Sequence, residues 1–308
     1  MQHLLSLEAA TRDEIFAILD LAVKMKATRG RHEAHPLRHQ CWALMFSKSS
    51  TRTRVSFEVG IRELGGDVFF LAADDIQLGR GEPIADTARV MGRMCHGAVI
   101  RTFAQTDVSD FAKFSGIPTV NALTDDEHPC QILADLQTVS EKLGGFSGKV
   151  ITYVGDGACN VPRSWLWAAS KLDFELRIAA PAPYQPDPAI VAAAFPPGKS
   201  GGGKIVITDD LEAAARGADV LYTDVWVSMG KEKETEYRMA QLGAFQIDEA
   251  LVKLAKPGAL VMHCLPAYRG KEITADVFEA HSATIFTQAE NRLHAQKAVL
   301  SLLAAAWV

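Results

Sequence analysis

The chain has 308 residues, too many for one core of usual size and suited to two domains of ordinary extent. With 48% hydrophobic and 22% charged residues it reads as a soluble globular protein, and a formal charge of -5 argues against a nucleic-acid binder, which would carry a basic stripe. Five widely spaced cysteines without a C-x-x-C pair argue against a disulfide framework or zinc module; the first residues are not a signal peptide, no apolar run reaches a membrane span, and a reducing cytoplasm is the expected home.

In residues 8–27, Ile15, Ile18, Leu19, Leu21, Ala22 and Met25 recur at three- and four-residue spacing, which predicts an amphipathic helix capped by Thr11. Trp42 to Phe46 predicts a buried strand. It opens into a cluster of hydroxyls and cations from Ser47 to Arg54, after which Val55, Phe57, Val59 and Ile61 resume at helical spacing. With Ser49 or Ser50 as N-cap, free helix-start amides lie beside hydroxyls and guanidinium groups, and that combination is an anion socket. The glycines and GK[ST] ending of a P-loop are absent. The competing reading is a solvated helix start with two surface arginines.

Gly65 and Gly66 end this helix and Val68 to Leu71 predicts the next strand, so strands and helices alternate as in a parallel α/β sheet. Residues 74–81, which include Gln77, form a polar loop before a helix around Ile84 to Met94. Ala98 to Arg101 predicts a strand ending on a cation, where open α/β sheets bind ligands. Pro118 to Leu123 is another strand. It leads through the acidic run Asp125 to Glu127 to His128 and Gln131, just ahead of a helix. A solvated loop with a structural histidine is the plainer alternative there.

The glycine-rich segment Leu143 to Gly148 is the best domain boundary. Lys149 to Val154 is then a strand opening into Gly155-Asp156-Gly157-Ala158-Cys159-Asn160. This begins like a dinucleotide fingerprint, but Asn160 occupies the third glycine's place and no acidic residue ends the next strand, Leu176 to Ala180, which disfavours a dehydrogenase. Residues 181–203 are rich in Pro, Gly and Ala around a helical island, Ala189 to Phe195. A strand at Ile205 to Ile207 and a helix over Asp209 to Gly217 follow. Val220 to Tyr222 then leads into a loop carrying Asp224, Ser228 and Met229. Asp224 reads as a helix cap or as a partner for an amino acid's ammonium group, and Met229 as core or as loop. Val261 to His263 is a strand running into Cys264, Leu265 and Pro266, with Cys264 either a catalytic thiol or a small buried residue. From Phe286 a long helix carries Arg292 in its first turns and folds back on the first domain.

Ser-Ser-Thr-Arg-Thr-Arg from Ser49, His-Pro-x-Gln from His128, the loop Asp224 to Gly230, His-Cys-Leu-Pro from His263 and Glu-Asn-Arg-x-His from Glu290 stand in one order along the chain. Together, from about Leu7 to the final helix, they resemble the aspartate and ornithine carbamoyltransferase family, with loops of the kind its ornithine-using members carry. The resemblance implies an α/β fold of two doubly wound domains, each a parallel sheet flanked by helices. Residues 1–143, completed by the C-terminal helix 290–308, would bind carbamoyl phosphate, and residues 144–289 ornithine.

It implies that Ser50, Thr51, Arg52 and Thr53 hold the phosphate, that Gln77 lies on a loop reaching a neighbouring subunit's site, and that Arg101 binds both phosphate and carbonyl. His128 would donate to the carbamoyl oxygen, while Gln131, the Leu265 carbonyl and Arg292 would orient the carbamoyl amide. Asn160, Asp224, Ser228 and Met229 would bind the amino acid, with Cys264 beside its side-chain amine. Cys159 stands where an asparagine is expected, and Pro162 and Arg163 replace small residues and histidine. The implied reaction carries the carbamoyl group of carbamoyl phosphate to L-ornithine, giving citrulline and phosphate, with Arg101, His128, Asp224 and Cys264 as catalytic residues. Putrescine or a modified ornithine is the alternative acceptor. No metal or organic cofactor, no nucleic acid and no membrane is implied, and the assembly would be a homotrimer or a multiple of trimers.

Overall fold

A computed structural model describes residues 1–31, 34–72, 81–198, 202–227 and 232–307. Two compact units make it up: Met1–Gln137 with Glu290–Val308, and Thr138–Ala289.

The first unit contains α1 (Arg12–Ala27), β1 (Cys41–Phe46), α2 (Thr51–Glu63), β2 (Asp67–Ala72), α3 (Ile84–Met94), β3 (Gly97–Arg101), α4 (Gln105–Ser115), β4 (Thr119–Leu123) and the start of α5 (Pro129–Leu143). Thr11 caps α1 in a reciprocal capping box with Glu14. The strands are parallel, in the order β2-β1-β3-β4. Every residue from Trp42 to Phe46 is buried, so side chains on both faces of β1 are covered, which is why this strand reads as an unbroken apolar run. Ala43, Met45, Ala98 and Ile100 share one core with Ala88, Val108 and Phe111 of the covering helices. Gly97 is required at its place: a Cβ there would stand 2.5 Å from the Trp42 ring.

The second unit holds β5 (Val150–Val154), α6 (Asn160–Ala169), β6 (Glu175–Ala179), α7 (Pro188–Ala194), β7 (Lys204–Thr208), α8 (Leu211–Ala215), β8 (Val220–Thr223), α9 (Thr235–Leu242), α10 (Glu249–Leu254), β9 (Leu260–His263) and α11 (Ala275–Ala280). Its strands are parallel in the order β7-β6-β5-β8-β9. Helix α8 is shorter than the expected Asp209 to Gly217, because the Asp210 carboxylate caps it by accepting the Ala213 N–H and the chain turns to φ 70° at Gly217.

Helix α12 (Ser282–Trp307) starts earlier than the expected Phe286, since α11 ends at His281 with no proline or glycine to separate the two helices. From Glu290 it belongs to the first unit. There the Lys297 ammonium donates to Glu63 at 2.6 Å, Lys26 donates to the Asn291 side chain at 2.7 Å, and Ala298, Val299 and Leu303 are buried. Among the described residues no helix is long and apolar enough to cross a membrane.

Each sheet reverses its winding once, between β1 and β3 in the first unit and between β5 and β8 in the second. Parallel sheets bind ligands beyond the carboxyl ends of their strands at such a reversal, because the flanking loops diverge there and leave a crevice. The fold therefore nominates the loops after β1, β3, β5 and β8.

Candidate active site

In the first unit β1, β3 and β4 end side by side, with Phe46 paired to Arg101 and Arg101 to Leu123. Beyond β1, Ser50 is the N-cap of α2 and its hydroxyl accepts the Thr53 N–H at 3.3 Å. Thr51, Arg52 and Thr53 form the first turn, which contains no acidic residue, so no carboxylate of that turn competes for its amides. Thr53 is buried, and its hydroxyl accepts a hydrogen bond from an Arg292 guanidinium N–H. Arg101, Arg292 and His128 are also buried.

These side chains feel one another. Burial, then Arg292, then Arg101 hold the His128 imidazole well below its ordinary pKa. The ring is therefore neutral and donates through one nitrogen without adding charge. Two buried guanidiniums beside a neutral donor place cationic groups near this helix start, chemistry that suits an anion.

The loop bearing His128 is fixed from two sides. The buried Glu127 carboxylate accepts the Leu7 N–H at 2.7 Å and the Glu8 N–H at 3.3 Å. Lys48 donates to Asp125 at 2.5 Å and lies 4.1 Å over the Phe103 ring. Gln131, in the first turn of α5, is buried and donates through Nε2 to Asp135 at 2.8 Å.

The depressed His128 pKa fixes an acid-side stability effect. A histidine whose folded pKa lies below its unfolded value, near ~6.5, contributes stability that is complete above the unfolded value and is lost as pH falls through the folded one. Unfolding free energies of the wild type from urea titrations should therefore drop between pH 7 and 5 more steeply than those of His128→Asn, by up to about 1.4 kcal/mol per pH unit. Parallel curves would show that the imidazole is not held neutral.

In the second unit β5, β8 and β9 end together. Gly155, at φ 122°, bends the chain after β5, and Asn160 opens α6. Cys159 is the N-cap residue but supplies no cap bond; its thiol donates to the Asp156 carbonyl at 3.2 Å and lies 3.5 Å from the Tyr153 hydroxyl. Pro162 sits in the first turn of α6, where a missing N–H breaks no helical bond, and Arg163 follows it.

After β8, Asp224 is buried and accepts the Val225 N–H at 2.7 Å. Burial raises its carboxyl above the ordinary value, offset in part by the Cys264 thiol donating to it. Ligand-type atoms of Asp224, His263 and Cys264 lie within 4.8 Å of one another. Those are residue types that zinc takes. The His263 ring is already engaged, however: Nδ1 accepts the Leu265 N–H at 2.9 Å, so Nε2 carries the hydrogen and donates to the buried Glu272 at 3.1 Å. A metal would have to displace one of these bonds, and the residues do not fit one as they stand.

Leu265 follows with φ 62°, outside the region most residues adopt. Buried Arg238, on α9, donates to Asp156 at 2.7 Å and to the Trp226 carbonyl at 3.2 Å, tying the loops after β5 and β8 to one guanidinium. Gln77, Ser228 and Met229 lie outside the described residues.

Residues 2–141 match the family model for the aspartate/ornithine carbamoyltransferase carbamoyl-P binding domain, and residues 147–303 that for the Asp/Orn binding domain. The chain belongs to the aspartate/ornithine carbamoyltransferase family. It is 56% identical to the ornithine carbamoyltransferase of Akkermansia muciniphila over 99% of this chain and 98% of that one. Among solved structures it is similar to ornithine carbamoyltransferase from Pyrococcus furiosus, with TM-score 0.92 and 45% identity over 99% of this chain and 97% of the other. It is likewise similar to anabolic ornithine carbamoyltransferase from Campylobacter jejuni, with TM-score 0.93 and 39% identity over 99% and 100%.

In this carbamoyltransferase-family chain the first unit brings Thr53, Arg101, His128 and Arg292 together, and the second brings Asp224 to Cys264. Motif reading passed over Glu127, Asp135, Arg238 and Glu272. Their signal was available for Asp135, an acid inside the apolar run Ile132-Leu133-Ala134-Asp135-Leu136, since a buried charge in a helix needs a specific partner. For Arg238 and Glu272 the sequence holds no comparable mark, because both sit among other charged residues.

Proposed function

We propose that the chain transfers the carbamoyl group from carbamoyl phosphate to the side-chain amine of L-ornithine, giving citrulline and phosphate, a step of arginine metabolism. One observation carries the reading: two buried guanidiniums, a buried threonine hydroxyl and a neutral buried imidazole converge beside the start of α2, whose first turn holds no acidic residue. The phosphate is held by Arg52, the hydroxyls of Ser50, Thr51 and Thr53 and the α2 amides; Gln77 lies on the loop assigned to a neighbouring subunit's site. Thr53, Arg101 and His128 donate to the carbonyl oxygen as negative charge grows on it, and such preplaced donors are the largest single source of rate in acyl transfer. Gln131, the Leu265 carbonyl and Arg292 orient the carbamoyl amide. Residues 1–143 with 290–308 serve carbamoyl phosphate and residues 144–289 serve ornithine.

The amine is the harder half. Its intrinsic pKa is near ~10.4, so deprotonation at pH 7 costs about 4.6 kcal/mol. Asp224 and Cys264 orient it, while Asn160, Ser228 and Met229 hold the rest of the amino acid. Nothing in this scheme calls on a metal or organic cofactor.

A subunit assembly fits the same reading. Edge strand β2 exposes Phe69, and the first unit also exposes Val55, Val90 and Met94, apolar side chains suited to burial against another copy in a homotrimer or a multiple of it. Five free thiols suit a cytoplasmic enzyme.

Phosphate release from carbamoyl phosphate, measured in turn with ornithine, putrescine, acetylornithine and aspartate, tests the assignment. Ornithine should support turnover and yield citrulline. Release with putrescine or acetylornithine in its place would overturn the choice of acceptor.

A further inference from the structure

Gln131 is an amide, and an amide can present either its oxygen or its NH2 to a ligand. In this chain the choice is made by its neighbour. Asp135, one helical turn along α5, is fully buried, and one of its carboxylate oxygens accepts the Gln131 Nε2–H at 2.8 Å. With the Asp135 oxygen accepting at this contact, the reverse orientation would set the amide oxygen against it, two acceptors facing each other in a dry environment. The amide is thereby turned so that Oε1 faces away from Asp135, and among the described residues this buried oxygen has no hydrogen-bond partner. A buried acceptor in that state is expensive unless a donor meets it.

Gln131 lies three residues beyond His128, whose carbonyl accepts the Gln131 N–H at 3.1 Å, so the two side chains leave the same helix start. His128 is the donor on this turn. Gln131, as oriented, is the acceptor. A carbonyl carrying an NH2 group, which accepts at one atom and donates from the next, matches such a pair, whereas a methyl ketone or acetyl phosphate matches only half of it.

We propose that Asp135 is a positioning residue: by fixing the Gln131 amide with its oxygen toward the ligand, it selects a carbamoyl group over an isosteric acetyl group. This rests on the carbamoyl-transfer reading above. Asp135 touches no reacting atom, and its effect passes entirely through the orientation of Gln131.

The test uses two stable probes that differ only in this group, phosphonoacetamide with its NH2 and acetonylphosphonate with a methyl, titrated calorimetrically into the full-length folded enzyme. The wild type should bind phosphonoacetamide more tightly. Asp135→Asn, which keeps the shape but lets Gln131 face either way, should weaken phosphonoacetamide about tenfold and leave acetonylphosphonate within about twofold. Gln131→Met should erase the same preference, and combining the two substitutions should add nothing further, as expected of groups acting in series. A merely structural role would weaken both probes alike, and that result in Asp135→Asn overturns the proposal. So does a Gln131→Met enzyme that keeps its preference for the amide, a measurement that stands even if Asp135→Asn fails to fold. A wild type that prefers phosphonoacetamide yet makes no citrulline would instead sink the choice of ornithine and leave Asp135's role intact.

Discussion

Arg52→Gln should lower kcat/KM for carbamoyl phosphate by on the order of 10³-fold, the scale seen when one charge-stabilising donor is removed from a preorganised site, while the unfolding free energy stays within about 0.5 kcal/mol of wild type. Two arginines of the same turn are set apart here. Arg54 donates to Glu58 at 2.7 Å and lies 3.8 Å over the Phe70 ring, so its guanidinium is committed to the fold. Arg52 is half-buried in the first turn of α2 and, among the described residues, has no hydrogen-bond or ion-pair partner. Its charge contributes nothing visible to folding and is available to a dianion. Arg54→Gln should therefore cost only a few-fold in turnover, at about 0.5 kcal/mol for the lost helix-surface pair. An Arg52→Gln enzyme with near-normal carbamoyl phosphate kinetics would show that the phosphate is held elsewhere.

Asp224→Ala should reduce kcat/KM for ornithine by about 10² to 10³, with the KM for carbamoyl phosphate moving by less than about threefold. The asymmetry follows from placement. Asp224 directly follows β8 in the second unit, whereas the cation-rich helix start belongs to the first. A buried carboxylate facing an ammonium group offsets the cost of drying that cation, and removing it leaves the charge unpaired. Asp224 also accepts the Val225 N–H. Asp224→Asn keeps an acceptor for that amide and so separates loss of charge from loss of loop shape; both variants should fail with ornithine to a similar degree. Equal losses on the two substrates would argue that Asp224 supports the fold and not the amine.

Much of this was legible in the amino-acid order. β1 is covered on both faces, so its apolar run could not be mistaken for a half-exposed strand, and Thr11 with Glu14 spells out the capping box that starts α1. The cap at Ser50 was readable because helix-start chemistry is local. What stayed hidden depends on distant pairs. Nothing near Glu127 says that its carboxylate holds Leu7, nothing near Arg238 says that it meets Asp156, and the division of labour between Arg52 and Arg54 appears only when Phe70 is placed beneath one of them. Helix ends were missed where a neighbour decides them, as at Ser282, where one helix follows another without a break.

The return of α12 to the first unit bears on how the protein is born. The second unit is one continuous stretch, Thr138–Ala289, and needs no later segment to complete it. The first waits for Glu290–Val308, which brings Arg292 to Thr53 and Lys297 to Glu63. The half encoded first is thus finished last, and a chain cut after Ala289 would keep every residue of the second unit while lacking the segment that completes the first.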